Sequence, residues 1–197
     1  PANIGDFPSA TSVFDIDAVG LIRTLSRFNQ GVDMAGNTIG TKCAFTIAAA
    51  FNPMAHDLKL ESERLSRKID AGLNIIYTQP LFDQKSLDIA LEKSKQHNLP
   101  LFVGVMPLRS LRHAEFMHNE VPGIEIPEIL LKTLETIDEN DALEFGIEVA
   151  QKFATQVRTQ AQGLYLMPPF GNHTIAERVL EAIPNLNQTE KPHQIDL

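Results

Sequence analysis

Asn74-Ile-Ile-Tyr-Thr-Gln79, closed by Pro80, is a short apolar run that ends in a polar pair and a proline. Proline has no N–H to give to a strand ladder, so the run reads as a strand that stops there. Three other stretches have the same form. They are Cys43-Ala-Phe-Thr-Ile-Ala-Ala-Ala-Phe51 before Pro53, Leu101-Phe-Val-Gly-Val-Met106 before Pro107, and Gly163-Leu-Tyr-Leu-Met167 before Pro168. All are nearly continuous in apolar residues rather than alternating, which predicts strands covered on both faces. Pro53, Pro80 and Pro107 recur every 27 residues, about the length of a βα unit with short loops.

Helical patterns fill the intervals. Asp17 to Phe28 places Ala18, Ile22 and Leu25 on one face. Asp57 is suited to cap a helix with Leu58, Leu65 and Ile69 facing inward, and Gly72 to its exit. Asp83 or Ser86 starts the next, with Leu87, Ala90 and Leu91 inside, and Asn98-Leu-Pro100 ends it. Ser110 caps Leu111 to Met117, Pro127 fits the first turn of a further helix, and Ala142 to Val157 and Thr174 to Ile183 complete the set. The tail from Pro184 to Leu197 is polar.

Strands alternating with helices imply an α/β fold with parallel pairing through right-handed crossovers. An eight-stranded barrel usually takes about 250 residues, and an open doubly wound sheet needs about five or six strands. Four strands therefore leave two options, a small open sheet or the later half of a barrel. No Gly-x-Gly-x-x-Gly and no P-loop supports a nucleotide-binding open sheet. Pro1-Ala-Asn-Ile-Gly-Asp6-Phe-Pro-Ser reads as a loop, so the chain is expected to open inside a domain.

Composition narrows the function. Of 197 residues 43% are apolar and 21% charged, enough for a sizeable core. The net charge of −8 argues against a nonspecific nucleic-acid binder, which needs cations to replace phosphate counterions. A single cysteine, Cys43, supports no internal disulfide framework and predicts a reducing, cytoplasmic setting. No apolar run approaches the roughly 18 residues of a membrane span, so no membrane partner is expected.

Parallel α/β folds place their chemistry at the carboxyl ends of strands. Those ends read Ala49-Ala-Phe-Asn-Pro53, Tyr77-Thr-Gln-Pro80, Met106-Pro-Leu-Arg-Ser110 and Met167-Pro-Pro-Phe-Gly-Asn172. They offer amides, aromatics and small residues, without a His–carboxylate pair or a cysteine nucleophile. The six histidines never fall at HxxxH or HExxH spacing, so no metal site is expected. Such ends suit a flat ligand with polar edges, and a site in which a cofactor carries the reaction.

Several motifs occur in a telling order. They are Gly5-Asp-Phe-Pro-Ser-Ala-Thr-Ser-Val-Phe-Asp15, Phe51-Asn-Pro53, Lys68-Ile-Asp-Ala-Gly72, Thr78-Gln-Pro80, Asn119-Glu-Val-Pro-Gly123, Ile126-Pro-Glu128 and Leu166-Met-Pro-Pro-Phe-Gly171. Together they resemble the methylenetetrahydrofolate reductase family, most closely the bacterial branch in which that domain follows a homocysteine methyltransferase domain. The resemblance runs to about Ile183, so 1–183 is expected to be the C-terminal half of the barrel domain and 184–197 a tail. It implies a (β/α)8 TIM barrel of which strands five to eight lie in this chain. It also implies FAD bound non-covalently at the strand ends and NAD(P)H as reductant. The implied activity is reduction of methylenetetrahydrofolate to methyltetrahydrofolate in one-carbon and methionine metabolism.

The same resemblance assigns residues. Gln79 matches a glutamine that hydrogen-bonds the pterin, although a strand-end amide of this kind also serves simply to cap a loop. Leu111 stands near an aromatic that packs on the folate aminobenzoate in some members. Asn172 occupies a position where the family often has an arginine holding the folate tail, and it brings no charge there. Ala49, Phe51 and Asn52 correspond to the loop beside the flavin, with His56 the nearest match to that loop's histidine. Glu61, Arg64 and Lys68 share a helix face at i, i+3, i+7, a set that by itself reads as a solvated ion-pair face. The resemblance turns Glu61 and Lys68, with Arg64 and Arg67 beside them, toward the ribose and phosphates of FAD. Asp6 matches either the flavin-site aspartate or a second loop aspartate that follows it. The family's general acid, a glutamate on the first strand, has no counterpart here, so no catalytic residue is assigned within the chain.

Two other readings compete. One is a truncated, noncatalytic fragment that binds neither FAD nor folate; the other is an unrelated open-sheet binder of small molecules. Two unpaired sheet edges on a half-barrel predict association, as a homo-oligomer or with a covering partner.

Overall fold

Prolines and capping side chains set most of the element boundaries in the computed structural model, which describes residues 16–183. The Gly5 to Asp15 motif, Asp6 and the tail from Pro184 onward lie outside the described residues. Seven α-helices and four strands follow one another: α1 Ala18–Gln30, β1 Ala48–Phe51, α2 Leu58–Asp70, β2 Ile75–Pro80, α3 Gln84–His97 and β3 Leu101–Val105. Then come α4 Leu111–Glu120, α5 Glu128–Thr136, α6 Ala142–Gln160, β4 Gly163–Leu166 and α7 His173–Glu181. The strands form one sheet in the order β1-β2-β3-β4. The β2–β3 and β3–β4 pairings are parallel, as the βα alternation predicts. No described helix is long and apolar enough to cross a membrane.

The described residues divide into two compact units, one up to Ala49 with Lys59–Ile75, the other Ala50–Leu58 with Ile76 onward. In the first, Asp17 caps α1 by accepting the Gly20 N–H at 2.7 Å. The buried face of α1 is Val19 and Ile22, whereas Ala18 is exposed. The apolar stripe is thus turned by one residue from the face expected, because the larger Val19 removes more apolar surface from water than Ala18.

β1 begins at Ala48, later than the apolar run suggested. Side-chain amides have taken over the backbone ahead of it. Asn29 both donates to the Phe45 carbonyl and accepts the Phe45 N–H, each at 2.8 Å, and the Ile47 N–H goes to Asn74 Oδ1 at 2.9 Å. Backbone groups satisfied in this way are not offered to a neighbouring strand.

In the second unit α3 and α6 pack on β3, α6 also on β4 and α7, and α4 on α5. The core includes Leu87 and Ala90 of α3, Leu101, Val103 and Val105 of β3, and Ile147, Ala154 and Val157 of α6. A satellite cluster under α4 and α5 joins Met106, Leu108, Ile124, Ile126 and Leu134. Asp83 rather than Ser86 caps α3, and Asn98 closes it in the left-handed conformation. Pro127 stands at the N-cap of α5, one residue ahead of the first turn. A Cβ on Gly146 of α6 would collide with the Leu108 carbonyl oxygen, so only glycine lets α6 lie against the β3–α4 loop.

The sheet is not equally covered on its two faces. Along β2 the residues alternate, with Ile76, Thr78 and Pro80 buried and Ile75, Tyr77 and Gln79 half-buried. The expectation of continuous burial fails here because the second face is shielded mainly by its own aromatics. Tyr77 stacks on Phe102 with ring centroids 5.3 Å apart, and lies 5.4 Å from Tyr165.

Candidate site at the carboxyl ends of the strands

Gln79 owes its position to an irregularity in β2. Tyr77 pairs with Phe102 while Pro80 pairs with Gly104, so Thr78 and Gln79 together face the single residue Val103. A bulge of this kind re-aims the side chains of the bulged strand. Three hydrogen bonds hold it. The Gly104 N–H donates to Thr78 Oγ1 at 3.0 Å, Thr78 Oγ1 donates to the Gln79 carbonyl at 2.6 Å, and Tyr165 Oη donates to the Thr78 carbonyl at 2.6 Å. Burial, with Tyr77 alongside, raises the Tyr165 phenol above its ordinary pKa, so it remains a donor at neutral pH. A Cβ at Gly104 would meet Tyr165 Oη at 2.7 Å, so this arrangement depends on glycine there.

Asn52 follows β1 at the same edge of the sheet. Its Oδ1 accepts the Met54 N–H at 3.0 Å, an Asx turn that bends the chain away from the strand. Gly123, in the Asn119-Glu-Val-Pro-Gly123 loop, approaches the Asn52 amide and the Gln79 side-chain stem. A Cβ on it would lie 2.8 Å from Asn52 Nδ2 and 3.8 Å from Gln79 Cγ, and its φ is +87°. The structure therefore brings Asn52 and Gln79 to one place. His56 is exposed and lines, with Asn52, Met54 and Ala55, an open cavity of about 420 Å³ whose other wall is 118–125. Phe51 is fully buried, so its ring belongs to the interior, while Asn52 beside it is half-buried.

Leu111, the first residue of α4, is half-buried against the Met106–Leu108 cluster. Asn172 caps α7, its Oδ1 accepting the Thr174 N–H at 3.1 Å. Arg109, Phe170 and His113 form a group that the motifs did not join. The Arg109 guanidinium stands 5.0 Å from the centre of the Phe170 ring, and Phe170 is 85% exposed with φ +54°. His113 Nδ1 accepts the Arg109 N–H at 3.3 Å, and burial together with the Arg109 charge lowers its pKa below the ordinary value.

In the other unit, Ala49 lies half-buried in β1 and α2 carries the charged set. Arg64 pairs with Glu61 at 3.8 Å; the Glu61 side chain is 12% exposed and that of Arg64 55%. Lys68 is half-buried. Burial lowers its pKa, Glu61 opposes that shift and Arg64 adds to it. Arg67 lies elsewhere, lining a cavity of about 300 Å³ with Asp17, Arg23 and Asp70. Among the described residues no three His, Cys, Asp or Glu side chains come together as a metal site would require.

The sequence model of the family Methylenetetrahydrofolate reductase matches residues 9–181. The chain belongs to that family. A curated relative, a Caenorhabditis elegans protein named "Probable methylenetetrahydrofolate reductase (NADPH)", is 25% identical over 154 residues, covering 77% of this chain. The chain spans only 21% of that relative's length. Among solved structures, an uncharacterized protein from Clostridium thermocellum that binds two copies of 5-methyl-5,6,7,8-tetrahydrofolic acid aligns with a TM-score of 0.51 at 20% identity. That alignment covers 68% of this chain and 51% of the other, and it supports a shared fold. Family membership turns attention to the strand ends, where Gln79 and Asn52 meet. The Thr78 bulge and the Arg109–Phe170 pair were not visible in the motifs. A register shift belongs to two strands at once, and Arg109 and Phe170 stand far apart in the chain.

Proposed function

We propose that this chain supplies the later four strands of a (β/α)8 barrel in a flavin-dependent reductase. The whole barrel would convert methylenetetrahydrofolate to methyltetrahydrofolate with NAD(P)H. The observation that carries this reading is the family match across 9–181, joined to a glutamine held at a strand end by its own hydrogen-bond network. These bonds fix the backbone from which the Gln79 side chain springs, and a side-chain amide at that place is suited to pair with the donor and acceptor edge of a pterin and to orient it for transfer. The three bonds resist rotation of the strand end, so the Gln79 backbone is in place before the ligand arrives.

The residues present fit FAD. A diphosphate needs a cation that has already lost part of its hydration, and Lys68 is half-buried with its charge disfavoured by burial. Glu61, largely buried beside it, would accept from ribose hydroxyls, with Arg64 adding positive charge on α2, while Arg67 faces the separate cavity with Asp17 and Asp70. Small Ala49, half-buried in β1, permits close approach of a flat ring. When bound, FAD supplies the relay of a hydride from NAD(P)H to the folate. Substrate contacts fall to Gln79, Leu111 and Asn172, the last through atoms not engaged in its cap. The proton that the reaction requires would come from a residue outside this chain.

By the same reading, four strands give half of the wall a flavin needs, and the 197-residue chain alone is inactive. In the full protein a homocysteine methyltransferase domain would precede the barrel, and the unpaired edges of the four strands favour association when they are not covered.

The test is Gln79→Ala in a protein that carries this chain within a complete barrel. Turnover of methylenetetrahydrofolate should fall by about 10–100-fold, the effect of losing an orienting hydrogen bond, with flavin absorbance near 450 nm unchanged. In parallel, NAD(P)H–menadione turnover by the 197-residue chain with added FAD should be absent. Unaltered folate turnover would remove Gln79 from the site, and a colourless complete barrel would sink the flavin assignment.

A further inference from the structure

The loop that leaves α4 is tied back to the helix by one side chain. His118, in the last turn of α4, accepts the Ile126 N–H at Nδ1 at 3.1 Å, across eight residues of chain. Little else fixes the backbone between them. Pro122 has no N–H to give, and α4 ends at Val121 in an extended conformation rather than in a left-handed cap. Two N–H groups of 122–126 donate within the described residues, Ile124 to the Val121 carbonyl at 3.3 Å and Ile126 to His118. The side chains are better anchored, since Ile124 and Ile126 are 4% and 2% exposed in the cluster with Met106 and Leu108. Apolar burial has no direction and sets how deep the segment lies; the His118 bond sets how its backbone is turned.

That turn matters at Gly123, whose φ is +87°. Its vacant Cβ position lies 2.8 Å from Asn52 Nδ2 and 3.8 Å from Gln79 Cγ, so the segment closes on both side chains. The bond that holds it carries a chemical condition. A ring nitrogen accepts only through a lone pair, so Nδ1 must be free of a proton, with the hydrogen of the neutral ring on Nε2. A proton on Nδ1 would set N–H against N–H and leave the amide of a buried residue without its acceptor. His118 is exposed, so that proton comes directly from solvent. The ionisable groups bordering the same cavity are His56, from the segment after β1, and Glu120 and Glu125 of the loop itself. Arg112 and Glu115 lie earlier on α4, and α5, packed on α4, carries Glu135 and a Glu128–Lys132 pair at 2.7 Å.

We propose that His118 is a positioning residue for the candidate site: with Nδ1 unprotonated it holds 122–126 so that Gly123 confines the Asn52 amide and the Gln79 side chain, and protonation releases them. This rests on the reading that Gln79 contacts the substrate, and it adds what keeps that side chain in place. Thr78 and Tyr165 fix the backbone beneath Gln79, whereas the loop limits where its side chain can swing.

The experiment uses a complete barrel carrying this chain. It compares wild type, His118→Asn, His118→Leu and Gln79→Ala between about pH 7.5 and about pH 5, the range in which an imidazole takes up its proton. Asparagine puts an acceptor oxygen near the place of Nδ1 and does not titrate there, whereas leucine offers no acceptor. The readouts are protection of the Ile126 amide from hydrogen exchange and kcat with methylenetetrahydrofolate. At the upper pH His118→Leu should lose about tenfold in protection and about three- to tenfold in kcat, and His118→Asn should keep most of both. At the lower pH the wild type should approach His118→Leu, while His118→Asn keeps its protection. His113 makes a like bond to the Arg109 N–H before α4, so the ratio of wild type to His118→Asn, in which His113 cancels, is the quantity read. Wild-type turnover by His118→Leu beside an impaired Gln79→Ala overturns the positioning role and leaves the site reading intact. A ratio that stays constant with pH also overturns it, and decides the matter if His118→Leu does not fold. An unimpaired Gln79→Ala overturns the site reading and this proposal with it.

Discussion

Thr78 and Gln79 sit in a bulge closed by three hydrogen bonds and backed by a glycine whose replacement would press on Tyr165. Phe170, at another strand end, stands 85% exposed in the left-handed region with one guanidinium over its ring. The first region is over-determined, since removing any single contact leaves others in place. The second stores strain of about 1–2 kcal/mol in a non-glycine residue and has little burial to offset it. The strand end holds its side chains in one arrangement, whereas the Phe170 loop has few contacts to resist a change.

That contrast is easiest to break at Gly104. Gly104→Ala brings a methyl group within 2.7 Å of Tyr165 Oη and must displace the ring from Thr78. A loss of about 1–3 kcal/mol is expected from chemical denaturation, with Tyr165→Phe losing less because the ring can stay where it is. A Gly104→Ala protein as stable as the wild type would mean the bulge is not held from β4.

A smaller effect should appear on acidification. His113 has a folded pKa below its ordinary 6.5, so between the two values the unfolded chain binds the proton and the folded chain does not. Stability from this group is fully present above pH 6.5 and is lost as pH falls through the folded pKa. Melting of the wild type at about pH 7.5 and about pH 5 should differ more than melting of His113→Gln, which lacks the titrating ring. Identical pH dependence would show that burial, with the Arg109 charge beside it, does not hold the His113 ring neutral.

The smallest change in stability belongs to Phe170. Phe170→Ala should stay within about 0.5 kcal/mol of the wild type, because an exposed ring buries little. A large loss would mean that the loop is as firmly built as the bulge, and the contrast would vanish.

Much of the scaffold could be read from local chemistry. Pro80, Pro107 and Pro168 each marked a strand end to within a residue or two, because a missing N–H ends a ladder wherever it falls. Asp17, Asp83 and Ser110 cap helices through bonds that span three residues, and Asn98 closes α3 by its own backbone preference. Errors arose where a distant group intervened. Asn29 and Asn74 satisfy the backbone of Phe45 and Ile47 from 16 and 27 residues away, and so delay the start of β1. The motifs pointed to Gln79 and Asn52 but not to the bulge that aims Gln79. Nor did they point to Arg109, whose meaning depends on a ring in another loop.

The stack of Tyr77, Phe102 and Tyr165 has an optical consequence. The chain contains no tryptophan and two tyrosines, and both belong to this stack. Ultraviolet absorbance near 280 nm, tyrosine emission and near-ultraviolet circular dichroism of this segment therefore arise almost wholly at the sheet face beside Gln79. A yellow ligand arriving there would quench that emission by energy transfer, and the phenolate absorbance of Tyr165 would develop later than that of a free tyrosine as alkali is added. The segment carries its own reporter, placed where occupancy would be read and silent about the rest of the fold.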